Sequence, residues 1–186
     1  MVSLSSLWLP ILLSAVIVFV ASSLIHMALG YHKNDIRALP REEDVMAALR
    51  PFNIPPGDYG MPKPSSMKDM GTPAFKEKMT KGPVAFMTVL PSGPFETGRQ
   101  LAQWFVYAIV ISFFAAYVTS RAVPVGADYL SVYRFAGTTA FIGYAMALPQ
   151  QAIWYRRNWG TTLLSMFDGL IYGLLTGGTF GWLWPR

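Results

Sequence analysis

The sequence predicts an all-α integral membrane protein with four transmembrane helices and, after the first, a proline-rich polar insertion of about 70 residues. Two features of composition support this class. Only 13% of the 186 residues are charged, whereas soluble domains carry about 25%, and 53% are hydrophobic. The apolar residues also fall into four blocks of about 20, which is the length that spans about 30 Å of hydrocarbon.

The first predicted helix covers about residues 7–27. A cleaved signal peptide carries positive charge before its apolar stretch and small residues at a cleavage site. Here the basic residues follow the block, beginning with Lys33 and Arg37, and no such cleavage site follows. We therefore expect an uncleaved helix.

The other three predicted helices cover about residues 101–118, 135–153 and 163–183. Pro149 lies inside the third of them, where the missing backbone N–H is expected to kink the helix near its end. The connections between these three helices are short, so we expect neighbouring helices to be antiparallel.

The insertion, about residues 30–100, holds ten of the fourteen prolines, between Pro40 and Pro94. Its pattern predicts two short helices, from Pro40 to Leu49 and from Pro73 to Met79. We expect an extended segment from Val84 to Leu90 and a turn at residues 55–57. The apolar residues are scattered, so the insertion is not expected to fold alone.

The basic residues set the predicted orientation, because cytoplasmic loops carry an excess of Lys and Arg. The insertion and the connection after the third helix together carry Lys33, Arg37, Arg41, Arg50, Lys63, Lys68, Lys76, Lys78, Lys81, Arg99, Arg156 and Arg157. The opposite side carries Arg121, Arg134 and Arg186. We therefore expect a cytoplasmic insertion and both termini outside. All six tryptophans fall at predicted helix ends, as an aromatic belt requires.

A glycine stripe marks the fourth predicted helix, with Gly169, Gly173, Gly177 and Gly181 at every fourth position. Four-residue spacing keeps these glycines on one helix face, where small residues let another helix approach closely. Two interpretations stay open at this point. The face packs inside the bundle, or it docks another subunit or a pigment-like ligand.

Asp168 is the one acidic residue inside a predicted span. Such residues are functional candidates, because a charge at the bilayer centre costs about 2.5–3.5 kcal/mol on insertion scales. The predicted topology brings other polar residues to the same inner end: His26, Gln103, Gln150, Gln151 and Arg156. This intramembrane polar cluster is either a proton or substrate site, or a network that holds the helices together.

The sequence carries no recognisable catalytic or cofactor motif. It has no P-loop, no G-x-S-x-G and no H-E-x-x-H, and it has no cysteine for thiolate-held metals or iron–sulfur clusters. The two histidines, His26 and His32, lie at the end of the first predicted helix and shortly after it. Because no facing helix carries a histidine, a haem held between two helices is disfavoured. We predict no catalytic and no metal site, although contact with lipid or pigment fits the apolar surface.

Three blocks carry a resemblance to a known group of proteins: residues 7–27 (LWLPILLSAVIVFVASSLIHM), 135–159 (FAGTTAFIGYAMALPQQAIWYRRNW) and 167–185 (FDGLIYGLLTGGTFGWLWP). They resemble an uncharacterised bacterial family of small four-helix inner-membrane proteins. The resemblance covers most of the chain and implies a bacterial inner-membrane location, but it implies no activity.

These observations favour a non-catalytic accessory subunit of a larger bacterial membrane complex, respiratory or photosynthetic. Its expected partners are other membrane-protein subunits and lipids. The net charge of +5 is expected to face anionic lipid rather than nucleic acid. The alternative is a small oligomeric transporter or channel that uses Asp168. A third hypothesis, a lipid-modifying enzyme near Asp168, His26 and Arg156, lacks a nucleophile–base pair.

Overall fold

The computed structural model describes residues 2–94 and 96–186, most of which are helical. The described elements, in chain order, are α1 (Trp8–Leu24), α2 (Glu42–Leu49), β1 (Gly57–Met61), α3 (Pro73–Lys81), β2 (Ala85–Val89), α4 (Gly98–Ala122), α5 (Tyr129–Ala145), α6 (Pro149–Tyr155) and α7 (Trp159–Leu183). The chain divides into two compact units. The bundle unit is Met1–Ile36 with Glu96–Arg186, and the insertion unit is Arg37–Phe95.

Three helices are long and apolar enough to cross a membrane, by length and composition. They are α4, α7 and the continuous helix Leu4–Leu29, which joins a 3₁₀ turn, α1 and the π-helical turn Ile25–Leu29. The protein is therefore a membrane-embedded helical protein. Helix α5 is shorter: its 17 residues rise about 25 Å.

The third predicted helix, about 135–153, is two helices in the structure. Helix α5 ends at Ala145 and α6 begins at Pro149. Proline has no N–H to donate, so it fits the first position of a new helix better than the interior of a continuing one. The expected kink near Pro149 is therefore wrong, because one helix ends before Pro149 and another begins at it.

Helices α5 and α7 also begin earlier than the apolar blocks indicate, because polar capping residues start them. The Asp128 side chain accepts from the Ser131 backbone N–H at 3.0 Å and begins α5 six residues before position 135. The Asn158 side chain accepts from the N–H of Gly160 at 2.7 Å and begins α7 at Trp159. Hydrophobicity alone locates the apolar centre of a helix and misses its capped end.

The four long helices pack in a ring in which α1 contacts α4 and α7, and α5 contacts the same two. Hydrogen bonds across the first pair show that it is antiparallel. Ser14 on α1 donates to Ser112 on α4 at 3.0 Å, and Trp104, two turns earlier on α4, donates to Ser22 at 2.8 Å. Much of the core is alanine and serine. Small side chains let helices approach closely, and in a membrane this close packing, not the hydrophobic effect, favours their association.

The tryptophans only partly follow the predicted belt. Trp8, Trp154, Trp159 and Trp182 are exposed at helix ends, as the belt requires. Trp104 turns inward to Ser22, and Trp184 is buried and donates to the Pro124 carbonyl oxygen at 2.9 Å. Trp104 therefore joins α4 to α1, and Trp184 joins the end of α7 to the α4–α5 connection.

The insertion unit combines two short helices with a two-stranded antiparallel ribbon. Strand β1 pairs with β2 from Gly57 opposite Val89 to Met61 opposite Ala85. Helix α3 begins after Thr72, whose hydroxyl accepts from the Phe75 N–H. Strand β2 confirms the predicted extended segment, whereas β1 begins at Gly57, where only a turn was expected. None of the described residues 37–94 is buried.

Candidate functional site

The glycine stripe on α7 lies against α5 within the same chain. A Cβ atom added at Gly177 would lie 2.8 Å from the Tyr133 carbonyl oxygen, and one added at Gly173 would lie 3.0 Å from the Gly137 carbonyl oxygen. Cβ atoms added at Gly169 and Gly181 would lie 2.8 Å from side-chain atoms of Ala145 and Tyr129. The partners run backwards along α5 as the glycines run forwards along α7. The two helices are therefore antiparallel and in backbone contact.

This contact decides between the two interpretations of the stripe. All four glycine positions are filled from inside the chain, so the stripe closes the α5–α7 seam and leaves no space there for a second subunit or a pigment. Gly137 takes part from the α5 side.

Asp168 is buried, with 3% of its surface exposed. Since α7 begins at Trp159, Asp168 lies about two and a half turns inside the helix, about one turn deeper than the sequence indicates. A buried carboxyl group requires hydrogen-bond partners, because desolvation without them is costly. Its partners come from the segment that follows α1.

A sharp reversal after α1 brings those partners to α7. The last turn of the first span, Ile25–Leu29, is π-helical and contains His26. Gly30 then adopts a left-handed conformation, with φ of 63°, and its carbonyl accepts from the Lys33 N–H at 3.3 Å. A glycine at this position ends a helix at no steric cost. The reversal places Tyr31 and His32 beside Asp168.

Five side chains meet there, and we call them the His–Asp cluster: His26, Tyr31, His32, Asp35 and Asp168. The Tyr31 hydroxyl donates to Oδ1 of Asp168. Nε2 of His32 lies 2.7 Å from Oδ2 of Asp168, and Nδ1 of His32 lies 2.6 Å from Oδ2 of Asp35. The exposed His26 ring lies 4.5 Å from the His32 ring, between centroids. The imidazole of His32 is therefore held between two carboxyl groups.

The two residues of the reversal have shifted pKa values. Burial raises the pKa of the Tyr31 hydroxyl to about 12, and its hydrogen bond to Asp168 acts in the same direction. Burial opposes protonation of His32, but the hydrogen bonds and charges of Asp35 and Asp168 outweigh it, so the pKa of His32 is raised above its usual value.

The predicted polar cluster is only partly present. The ligand-capable atoms of His26 lie near those of His32 and Asp168. Gln103, Gln150, Gln151 and Arg156 are exposed, and none of these four described side chains hydrogen-bonds to Asp168. The break before Pro149 is the reason for three of these failures. It places both glutamines on α6, and Arg156 ends that helix in a left-handed conformation.

Tyr31, His32 and Asp35 were missed because they follow the apolar block. The signal that could have found them is Gly30, a helix-ending glycine directly before Tyr31 and His32. Here the left-handed Gly30 ends the helix, and Tyr31 and His32, which follow it, bind Asp168.

Buried hydroxyl groups continue along α7 beyond Asp168. Tyr172 and Thr176 follow at four-residue spacing, and their hydroxyl oxygens are buried without a hydrogen-bond partner among the described residues. The Tyr144 hydroxyl on α5 is buried in the same way, and its ring lies 5.3 Å from that of Tyr172. Buried polar groups of this kind are typical places for internal water.

Fold and site together define a membrane-embedded helical protein with a buried carboxyl group. That group, on Asp168, is hydrogen-bonded to Tyr31 and His32 of the reversal after the first span. No family model, curated protein or solved structure matches the chain. The resemblance to small bacterial four-helix membrane proteins stays a prediction.

Proposed function

We propose that this protein is a non-catalytic accessory subunit of a larger bacterial inner-membrane complex, respiratory or photosynthetic. The observation that carries the proposal is the insertion unit, in which none of the described residues 37–94 is buried. A unit with ordered helices and strands but no buried side chain lacks the hydrophobic core that ordinarily offsets the entropy of ordering. A partner surface supplies the missing burial.

The apolar side chains of the insertion unit supply a surface for that partner. Met67 is 84% exposed and Phe52 is 72% exposed, and Leu39, Leu90 and Val84 are each more than half exposed. Exposed apolar side chains of this kind are candidates for an interaction site. Protein subunits next to the insertion are the occupants to which we commit.

The same proposal includes four spans and an orientation. Helix α5 runs along α7 for its whole length, so α5 with α6 supplies the fourth crossing although α5 alone is short. Basic residues of the insertion and of the α6–α7 connection then lie in the cytoplasm, with both termini outside. Because residues of α5 fill the glycine stripe, we assign partner contact to the insertion unit.

Affinity purification from the native membrane tests the proposal. The full chain, tagged at one terminus, is extracted in mild detergent, and the eluate is analysed by mass spectrometry and absorption spectroscopy. We expect subunits of one energy-converting complex. The variant Phe52→Ser should reduce their yield, whereas Lys63→Ser, an exposed polar change in the same unit, should not. A homo-oligomer without other subunits would contradict the proposal.

A second candidate is a small oligomeric transporter or channel, and one observation favours it. Asp168, Tyr172 and Thr176 place three buried polar side chains on one face of α7, spaced by four residues. Intramembrane polar residues in such a row are typical of proton or ion paths. In vesicles containing the purified chain, Asp168→Asn should abolish flux, whereas Asp128→Asn, outside the row, should retain it. Unchanged flux in Asp168→Asn would eliminate this candidate.

A further inference from the structure

The His–Asp cluster contains three side chains that are able to share one metal ion. One ligand atom from each of His26, His32 and Asp168 lies within 4.8 Å of the other two. The residues come from the last turn of the first span, from the reversal after it and from α7. Such convergence of two imidazoles and a carboxylate is not required for packing, because His26 is exposed and makes no hydrogen bond in the described structure.

The groups around these three side chains orient them as the outer groups of metal sites do. Asp35 binds Nδ1 of His32 at 2.6 Å, which leaves Nε2 directed at the centre of the cluster. Tyr31 donates to Oδ1 of Asp168, which leaves Oδ2 directed there as well. Metal-bound histidines nearly always donate their second ring nitrogen to a carboxylate or carbonyl, and metal-bound carboxylates are themselves hydrogen-bonded.

We propose that His26, His32 and Asp168 form a binding site for one divalent transition-metal ion of the Zn²⁺ class, with Asp35 and Tyr31 as orienting residues. The inference is independent of the accessory-subunit proposal. Two imidazoles and one carboxylate are a donor set that suits Zn²⁺ and its neighbours, and such three-residue sites keep a fourth position open. Mg²⁺ and Ca²⁺ prefer shells of oxygen.

The distances require only side-chain adjustment. Ligand atoms about 2.0–2.1 Å from a tetrahedral ion lie about 3.3 Å from each other. His32 Nε2 and Asp168 Oδ2 are 2.7 Å apart and must separate slightly, while the His26 ring moves inward. Nε2 of His32 and the carboxyl group of Asp168 would both bind the ion without a proton, since metal ligands bind in their deprotonated forms. His26 is the most exposed of the three ligands and lies in the last turn of the first span.

The test is a titration of the purified full chain in detergent, carried on a tag without histidine. EDTA first strips the chain of metal and is then removed. In one sample Co²⁺ is added and its visible absorption is followed. In a second sample Zn²⁺ is added, the protein is desalted, and the zinc per chain is measured by elemental mass spectrometry. We expect one ion per chain. His26→Ala should weaken binding by at least about tenfold, and Asp35→Asn by about 10–100-fold, the range for outer residues. The matched control is Asp44→Asn, which removes a carboxylate from the exposed acidic start of α2.

Loss of binding in His26→Ala with full binding in Asp44→Asn supports the site, and loss in His32→Ala and Asp168→Asn extends it to all three ligands. His26→Ala is decisive even where the two more buried variants do not fold, because His26 is exposed. Absence of bound Co²⁺ and Zn²⁺ in the wild type, or unchanged affinity in His26→Ala, would overturn the proposal and leave the cluster as a polar network.

Discussion

The bundle unit and the insertion unit reach order by different physical routes. In the bundle, small residues bring backbones together, and buried side chains such as Phe180, Val18 and Val132 fill the interior. In the insertion unit, two short helices, of which α3 is capped by Thr72, and a paired ribbon form without any buried residue among those described. The difference is that the bundle has a buried interior, whereas the described part of the insertion unit has none, and we propose that a partner surface supplies it.

The largest effect is expected at the α5–α7 seam. Gly177→Leu would place side-chain atoms where a Cβ alone already lies 2.8 Å from the Tyr133 carbonyl oxygen. Overpacking of this kind costs about 1–3 kcal/mol or more, and backbone against backbone leaves little room to relax. Thermal unfolding in detergent, followed by circular dichroism, should show a clear loss of stability.

The neighbouring glycine supplies the matched control for this variant. A Cβ at Gly178 would meet nothing closer than the Tyr129 hydroxyl at 3.6 Å, which is ordinary contact. Gly178→Ala should therefore unfold at or above the wild-type temperature. Equal losses in Gly177→Leu and Gly178→Ala would contradict the seam.

A medium effect is expected at the His–Asp cluster. Tyr31→Phe removes the hydroxyl that donates to Asp168 and leaves a buried acceptor with one partner fewer, at a cost of about 1–2 kcal/mol. Tyr172→Phe removes a buried hydroxyl that has no partner among the described residues, so it should be neutral or stabilising. Urea unfolding in detergent compares the two, and a larger loss in Tyr172→Phe would contradict the described hydrogen bonds.

A smaller effect is expected at the start of α7. Asn158→Ala removes the side chain that accepts from the Gly160 N–H at 2.7 Å, and the loss of such a cap typically costs about 1 kcal/mol. Thr97 precedes α4 without a capping hydrogen bond from its side chain, so Thr97→Ala should change stability little. The same unfolding assay measures both variants, and similar losses in the two would argue against the cap.

The smallest effect on the isolated protein is expected in the insertion unit. Phe52 is 72% exposed, so Phe52→Ser should leave the unfolding temperature of the purified chain almost unchanged. The same variant should nevertheless lose partner subunits during purification from native membranes. A large loss of stability in the purified chain would mean that Phe52 packs inside the protein, contrary to this comparison.

The sequence predicts the apolar helix centres well, because length and hydropathy decide them. It fails where single polar residues decide a boundary, as Asp128 and Asn158 do for α5 and α7. For the site, it selects Asp168 and His26 but misses His32, whose position depends on the reversal at Gly30. Gln150 and Gln151 were placed by continuing a helix through Pro149, and no local pattern distinguishes a kink there from the break that is observed.

The central claim is that the insertion unit is completed by a partner, and hydrogen–deuterium exchange tests it most directly. Backbone amides of α2, α3, β1 and β2 would be compared in the purified chain and in the complex isolated from native membranes. The account predicts fast exchange in the purified chain and strong protection in the complex, with α4 and α7 protected in both. Strong protection of the insertion unit in the purified monomeric chain would contradict the claim.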